Sequence, residues 1–489
     1  MAFKGRTVLV FMMITMLASS IITILLASPA KDWLDRVQTP REEASQGTPV
    51  PKPGLTDKEI QKIVKTYQLI ENKFVSKVDK EKVLNGAING MLDALEDPYS
   101  VYMDEEEAKS FEENVESTFT GIGAEVSLEG SKVTVVSPIK DSPAEKAGIR
   151  SKDVIISVNG VSLEGLKLNE AVMKIRGPKG TKATLEILRS DAVQPIEIIV
   201  VRDDINIETI YSEMLDHLIG KIDITQFSQH TADRFLEELT SLESQGMKGL
   251  IIDVRNDPGG YLEGVIQILN SLVPEGKALL QIESRDRKEP QTLSEGLGKT
   301  YPIAVLMNKG SASASEILAA ALQQSADAKL VGETTYGKGT VQTTYAEELG
   351  DGSNIKMTIA KWLTPKGEWI NGKGVTPDIP VEQPGYYNAT PIIREPVMKK
   401  DTTGDQVKNL QIMLAGLGLK PDRMDGYFSE KTALAVRSFQ SLHKLPLTGD
   451  VDAKTAAALE EAIIAKIQEP GSDLQLNAAV KYLEELIAK

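Results

Sequence analysis

The chain has 489 residues, 41% of them hydrophobic, and a formal net charge of −15. That length suggests about three domains with packed cores, and the acidic balance argues against a nucleic-acid partner because no basic face is available to displace counterions from phosphate. Cysteine is absent, which removes thiol catalysis, thiolate metal sites and disulfides together; His217, His230 and His443 are too few and too scattered for a metal cluster, and no cofactor is implied.

In chain order, Lys4 and Arg6 precede a mostly apolar run from Thr7 to Ser28, about 22 residues, long enough for a bilayer and longer than a typical signal-peptide core. Lys31, Asp32, Asp35 and Arg36 follow without a positive excess, so residues 1–30 are expected to be a single-pass anchor with the bulk of the chain outside the cytoplasm. Ser28-Pro29-Ala30 leaves a cleaved, secreted form open. Residues 31–56 read as a linker rich in Pro, Gly, Glu and Thr. Over 57–117, Ile60, Ile63, Val64, Tyr67 and Ile70, then Val83, Ile88, Met91, Leu92 and Leu95 fall at helical spacing. Two or three amphipathic helices are expected, packed either on the later core or on a second subunit.

Residues 118–202 change character. Short β-rich runs (Ala124 to Ser127, Lys132 to Val136, Val154 to Val158, Ala183 to Leu188, Ile196 to Val201) surround two helical patches, Ser142 to Ala147 and Leu168 to Ile175. The ordered pieces Thr120-Gly121-Ile122-Gly123-Ala124, Ser142 to Ile149, Asp153 to Val161 and Arg176 to Thr181 resemble a PDZ domain. In the turn of Gly121, Ile122, Gly123 and Ala124, closely spaced backbone N–H groups make a nest for a C-terminal carboxylate while the peptide adds as a strand.

From residue 203 to 383, near-continuous apolar strands (Lys221 to Phe227, Leu250 to Val254, Ile303 to Met307, Leu330 to Gly332) alternate with helices Thr231 to Ser244, Leu262 to Leu272 and Ile317 to Gln324. That alternation indicates an α/β layer fold; further strands are expected at Thr340 to Tyr345 and Ile355 to Leu363. Residues 384–399 read as a linker punctuated by Pro384, Pro391 and Pro396. Beyond it, 400–466 form a small helical module whose Asp425-Gly426-Tyr427-Phe428, Phe439-Gln440 and Thr448-Gly449 closely resemble the type 1 peptidoglycan-binding domain. The tail, 467–489, is one more amphipathic helix pattern.

The chemistry gathers at Asn308-Lys309-Gly310-Ser311-Ala312-Ser313-Ala314-Ser315-Glu316. A buried strand meets a helix N-terminus through very small residues, which presents a hydroxyl beside unpaired N–H groups and the positive end of the helix dipole, the parts of a nucleophile and an oxyanion site. A serine-capped turn would look the same, so the surroundings must decide. Histidine is poorly placed as a base, since His217 and His230 carry no triad signature. Lys338, in Gly337-Lys338-Gly339-Thr340-Val341-Gln342, is the alternative: burial lowers a lysine toward neutrality. Gln342 lies four residues on and could hold the amine by hydrogen bonding. Arg255-Asn256-Asp257-Pro258-Gly259-Gly260 is a second turn of exposed amides at a strand end.

These runs, behind a PDZ domain, resemble the carboxyl-terminal processing (tail-specific) serine proteases over about residues 57 to 382. By that resemblance Ser313 is the nucleophile, Lys338 the general base and Gln342 the orienting residue, with the oxyanion held by the amide of Ala314 and one of Gly259 or Gly260. Ser311 and Ser315 are then structural, and Glu316 is a first-turn acid favoured by the dipole. The resemblance also implies a crotonase-like α/β core, PDZ gating of a peptide tunnel with Arg176 as a sensor, apolar protein C-termini as substrates, and a homodimer. Two rivals remain: Ser441-Leu442-His443-Lys444 matches the S-x-x-K of penicillin-binding enzymes but lacks their other elements, and a non-catalytic wall-anchored PDZ scaffold would use the same binding modules.

Overall fold

The computed structural model describes residues 54–488 apart from 130, 141, 190–193 and 347. The apolar run Thr7–Ser28 expected as an anchor lies outside the described residues, as does all but the end of the first linker; among the described residues no helix is long and apolar enough to cross a membrane. The chain divides into two compact units after Met91.

In the first unit, the helix Asp57–Lys73 opens on a capping box: Thr56 N donates to Glu59 Oε2 at 2.7 Å and Glu59 N to Thr56 Oγ1 at 3.4 Å. The expected apolar stripe is present, with Ile60, Ile63, Val64 and Ile70 exposed. The following helix, Lys80–Asp93, likewise has no buried residue among those described.

The second unit is built on a six-stranded sheet in the order Ile210–Leu215, Ile219–Ile224, Gly249–Asp253, Ile303–Met307, Lys329–Gly332, Ile379–Pro380. The first pair is antiparallel and every later pair parallel. Gly249–Asp253 and Ile303–Met307 are buried throughout, as central strands covered on both faces must be. Helices Thr231–Ser244, Leu262–Leu272 and Ala314–Ser325 bury their apolar sides in this unit. The tail helix, Leu474–Ile487, packs Ala479 and Leu483 on Ile219, Ile251, Ala304, Leu306 and Val331. This helix is therefore part of the layer covering the six-stranded sheet, and the helical module before it is bracketed by the sheet strand Ile379–Pro380 and this returning helix.

A second, antiparallel sheet joins Val101–Met103, Asn354–Leu363, Ala278–Ser284 and Thr292–Leu293, with Thr340–Tyr345 also pairing to Asn354–Leu363. Val101–Met103 comes from the region 57–117, in which two or three helices and no strand are expected. Between these parts sits a domain of strands Ala124–Glu129, Lys132–Pro138, Val154–Val158, Lys182–Leu188 and Ile196–Val201 with helices Pro143–Lys146 and Leu168–Ile175. Its core includes Ile122, Val133, Ile155, Leu185 and Val200. Thr118–Gly121 and Asp203–Asn206 pair antiparallel where the chain enters and leaves it.

The C-terminal module has three helices, Asp405–Gly416, Glu430–Leu442 and Ala453–Ile467, around Leu410, Leu414, Phe428, Val436, Phe439 and Leu459. The segment read as a linker contributes Ile392 and Met398 to this core. Two buried glutamines do parallel work: Gln411 accepts from Gly426 N at 3.0 Å and donates to Tyr427 O at 2.9 Å, while Gln440 accepts from Gly449 N at 2.9 Å and donates to Asp450 O at 2.9 Å. Each fastens a Gly turn to a helix and satisfies backbone groups that burial would otherwise strand.

Candidate active site

Strand Ile303–Met307 delivers the chain to a turn held from below. Ser311 Oγ donates to Val254 O at 2.7 Å and accepts from Asn308 N at 3.0 Å, while Ser315 Oγ donates to Asp257 O at 3.0 Å. Both hydroxyls are consumed by the backbone, which leaves Ser313 as the serine of the run not tied to the neighbouring turn. Ser313 stands at φ 55°, ψ −112°, a conformation that costs a non-glycine residue about 1–3 kcal/mol and persists only where the surroundings impose it. Here Gly259 packs against it: a Cβ on Gly259 would sit 2.8 Å from Ser313 Cβ, 2.8 Å from Ala314 N and 2.6 Å from Ala312 O. The turn Asn256–Gly260 and the helix N-terminus of Ala314 thus meet at Ser313.

Glu316 is the residue whose importance the sequence understated. Its carboxylate is buried and takes four hydrogen bonds. Oε2 accepts from Ser313 N at 2.9 Å and Lys338 N at 2.8 Å; Oε1 accepts from Thr335 Oγ1 at 2.5 Å and Gly337 N at 2.7 Å. A helix-capping acid is in this way also the bracket joining the serine turn to the lysine turn. Lys338 is further fixed by Trp362 Nε1, which donates to its carbonyl at 2.8 Å. The glycines flanking it make room for backbone and an indole: a Cβ at Gly337 would meet Gly374 N at 2.8 Å, and one at Gly339 would meet Trp369 Nε1 at 2.8 Å.

Burial lowers the Lys338 pKa, and the charge of Lys356 lowers it further, against the opposing pull of Glu316 and Asp97. Its ammonium lies 4.8 Å from the centre of the Tyr99 ring, a cation–π contact. Burial and a hydrogen bond with Tyr336 push the Tyr99 phenol up to about 12. Gln342 Nε2 donates to Thr340 Oγ1 at 2.9 Å and Thr358 Oγ1 at 3.0 Å. Among the described residues no hydrogen bond links the Ser313, Lys338 and Gln342 side chains to one another. The lysine rests on Tyr99 instead of on the serine.

In the inserted domain, Phe119, Ile122, Val126, Val172, Ile175 and Arg176 line a groove that also borders Gly123 and Ala124. Gly123, at φ +78°, is required to be glycine, because a Cβ would lie 2.4 Å from Ser142 Cβ. Gly121 pairs with Asp203 at the domain's entry ribbon. Arg176 covers the Phe119 ring at 4.7 Å and donates to Glu113 Oε2 at 2.6 Å, with its Nε buried and unpartnered.

Comparison with known proteins decides the family. Over 431 residues the chain is 46% identical to the carboxy-terminal processing protease CtpB of Bacillus subtilis (strain 168), a match spanning 87% of this chain and 89% of that one. This chain belongs to the carboxy-terminal processing protease family. It is also 43% identical over 430 residues to CtpA of the same organism, covering 88% and 91% of the two chains. The peptidase family S41 model matches residues 218–381, the PDZ domain model 134–189, the peptidoglycan binding domain model 403–459 and the activating protease CtpB N-terminal domain model 21–107. The family is one of serine-type proteases, so the two sheets are those of an S41 protease, the inserted domain is a PDZ domain and a helical domain follows.

Sequence reasoning did not reach Tyr99, Asp97, Trp362 or the buried Asp257. The first two lie in a stretch read for its helical stripe, and Asp257 sits in a turn valued only for its amides. Pro258 beside two glycines was the available hint that the turn is built rather than loose.

Proposed function

We propose that this chain is a membrane-anchored, extracytoplasmic serine endopeptidase that captures apolar protein C-termini on its PDZ groove and cleaves through an acyl-enzyme. The observation that carries the reading is the shared Glu316 carboxylate, which places the main chains of Ser313 and Lys338 against one another. In the reaction, neutral Lys338 Nζ takes the proton from Ser313 Oγ as the oxygen attacks the scissile carbonyl. The oxyanion forms at Ala314 N and Gly260 N, aided by the helix dipole; Gly259 N is already donated to Asp257 Oδ1 at 2.8 Å. The C–N bond then breaks, the leaving amine receives the proton from Lys338, and water repeats the sequence in reverse to free Ser313.

Reaching this state requires Lys338 to leave Tyr99 and turn to Ser313, with Gln342 exchanging a threonine hydroxyl for the amine. Arg176, at the mouth of the groove, is positioned to report peptide docking by trading Glu113 for substrate. The apolar run Thr7–Ser28 supplies the anchor, the C-terminal module contacts peptidoglycan, and the exposed stripe of Asp57–Lys73 suits a homodimer. The paired sheets suit a crotonase-like core. No metal or cofactor takes part in the scheme.

A fluorophosphonate probe tests the nucleophile. Intact mass and peptide mapping are expected to find one adduct, on Ser313, absent in Ser313→Ala and slowed in Lys338→Ala; an adduct on another serine would overturn the assignment of Ser313, and none with a folded chain that still binds a peptide tail would favour the scaffold reading, which the absence of a hydrogen bond among the three side chains also fits.

A further inference from the structure

Asp257 is buried between the two turns of the site, with no exposed surface. Its carbonyl accepts from Ala312 N at 3.0 Å and Ser315 Oγ at 3.0 Å, so its main chain joins the amide turn to the nucleophile turn. Of its carboxyl oxygens, Oδ1 accepts from Gly259 N at 2.8 Å, closing an Asx turn over Pro258 that sets the Gly259-Gly260 peptide. Oδ2 is buried without a hydrogen-bond partner. A carboxylate with one oxygen stranded away from water is costly in its charged form and less so as the neutral acid.

The groups that hydrogen-bond to it carry no charge: Gly259 N on its own turn, Ala312 N and Ser315 Oγ on the helix turn. Arg255, in the same turn, pairs with Asp253 at 2.6 Å and Asp473 at 2.9 Å. Across the nucleophile, Glu316 is spent on its four donors and Lys338 rests on Tyr99. With burial as the main influence, the Asp257 carboxyl is pushed up to about 7, against the hydrogen bond from Gly259 and the nearby Ser315 hydroxyl, which donates to the main-chain carbonyl. Gly259 meanwhile touches Ser313 and Ala314 N, so the carboxyl is one residue from the place where an oxyanion forms.

We propose that Asp257 is a positioning residue of the oxyanion turn that must be neutral for turnover. Protonated, it braces Gly259 and Gly260 without adding charge. Ionised, it holds the Gly259 amide more tightly and sets a buried negative charge beside the nascent oxyanion, which the transition state must then oppose. The proposal rests on the Ser313 reading above and adds a control to it: rising pH frees Lys338 to act as base, and rising pH also ionises Asp257, so the rate passes through a maximum.

The test is kcat/KM of the full-length chain from about pH 5 to about pH 10, for wild type and Asp257→Asn. Asparagine keeps the shape and the Oδ1 acceptor but cannot ionise. The variant is expected to keep the rising limb and lose the falling one, exceeding wild type by roughly tenfold or more at the alkaline end. If wild type cleaves and the two profiles superimpose, this proposal falls alone; if wild type does not cleave, the Ser313 reading falls and takes it along. Infrared titration of Ser313→Ala, which needs neither turnover nor a folded Asp257 variant, gives the second readout. A protonated-carboxyl stretch that shifts on 13C labelling of aspartate and vanishes through about pH 7 is expected; its absence at acid pH overturns the proposal.

Discussion

The main-chain amides of Ser313 and Lys338, 25 residues apart in sequence, donate to the same oxygen of Glu316, at 2.9 and 2.8 Å. The main chains of Ser313 and Lys338, the proposed nucleophile and base, are therefore held together by a carboxylate that need not touch substrate. The Lys338 side chain rests on Tyr99 while its main chain is held by Glu316.

Replacing Glu316 separates anchoring from chemistry. Glu316→Ala strands buried donors and is expected to destabilise the chain by about 3 kcal/mol or more, read as a shifted urea midpoint. Glu316→Gln offers one acceptor oxygen where two are used and turns an NH2 toward donors; kcat is expected to fall roughly tenfold to hundredfold with KM little changed. Unaltered kcat in Glu316→Gln would show that the bracket is not needed for alignment.

The neighbour that lowers the Lys338 pKa after burial is Lys356. Lys356→Met removes that repulsion, so the Lys338 pKa rises and the base is neutral only at higher pH. The rising limb of kcat/KM is expected to move to higher pH, most visibly in the Asp257→Asn background. Movement to lower pH would contradict a lysine base at this position.

Gly259→Ala places a methyl 2.6 Å from Ala312 O and 2.8 Å from Ser313 Cβ. Because backbone must shift at Ser313, activity is expected to fall about a hundredfold or more. Gly148→Ala is the control: φ is +81° there but a Cβ meets nothing within 4 Å, so about 1 kcal/mol of strain and little loss of rate are expected. Equal losses of kcat in the two would remove the steric argument.

Leu483 lies in the tail helix but packs on the catalytic sheet. Leu483→Ala is expected to lower the stability of the protease core by about 2–4 kcal/mol, seen as faster hydrogen exchange in strands Gly249–Asp253 and Ile303–Met307. Unchanged protection there, with only the tail loosened, would mean that the helix is an appendage.

Much of this was legible in the chain. Strand Ile303–Met307 and helices Thr231–Ser244 and Leu262–Leu272 appear where apolar runs and helical spacing put them, because their burial is dictated locally. The antiparallel sheet was partly invisible: Val101–Met103 gains strand character by pairing with Asn354–Leu363, some 250 residues away, and short strands carry little period of their own. The tail helix showed its stripe but not the sheet that covers it. Within the site, residue types pointed to Ser313, Lys338 and Gln342; the strands Thr340 to Tyr345 and Ile355 to Leu363 were legible, but their pairing, which sets Gln342 on Thr358, and the contact of Lys338 with Tyr99 were not.

The most direct measurement is cleavage of a disordered protein with an apolar C-terminal tail by the full-length chain, alongside Ser313→Ala and Lys338→Ala, with folding checked by circular dichroism. Wild type is expected to cut while both folded variants lose activity by at least about a thousandfold. Retained cleavage in folded Ser313→Ala would contradict the account.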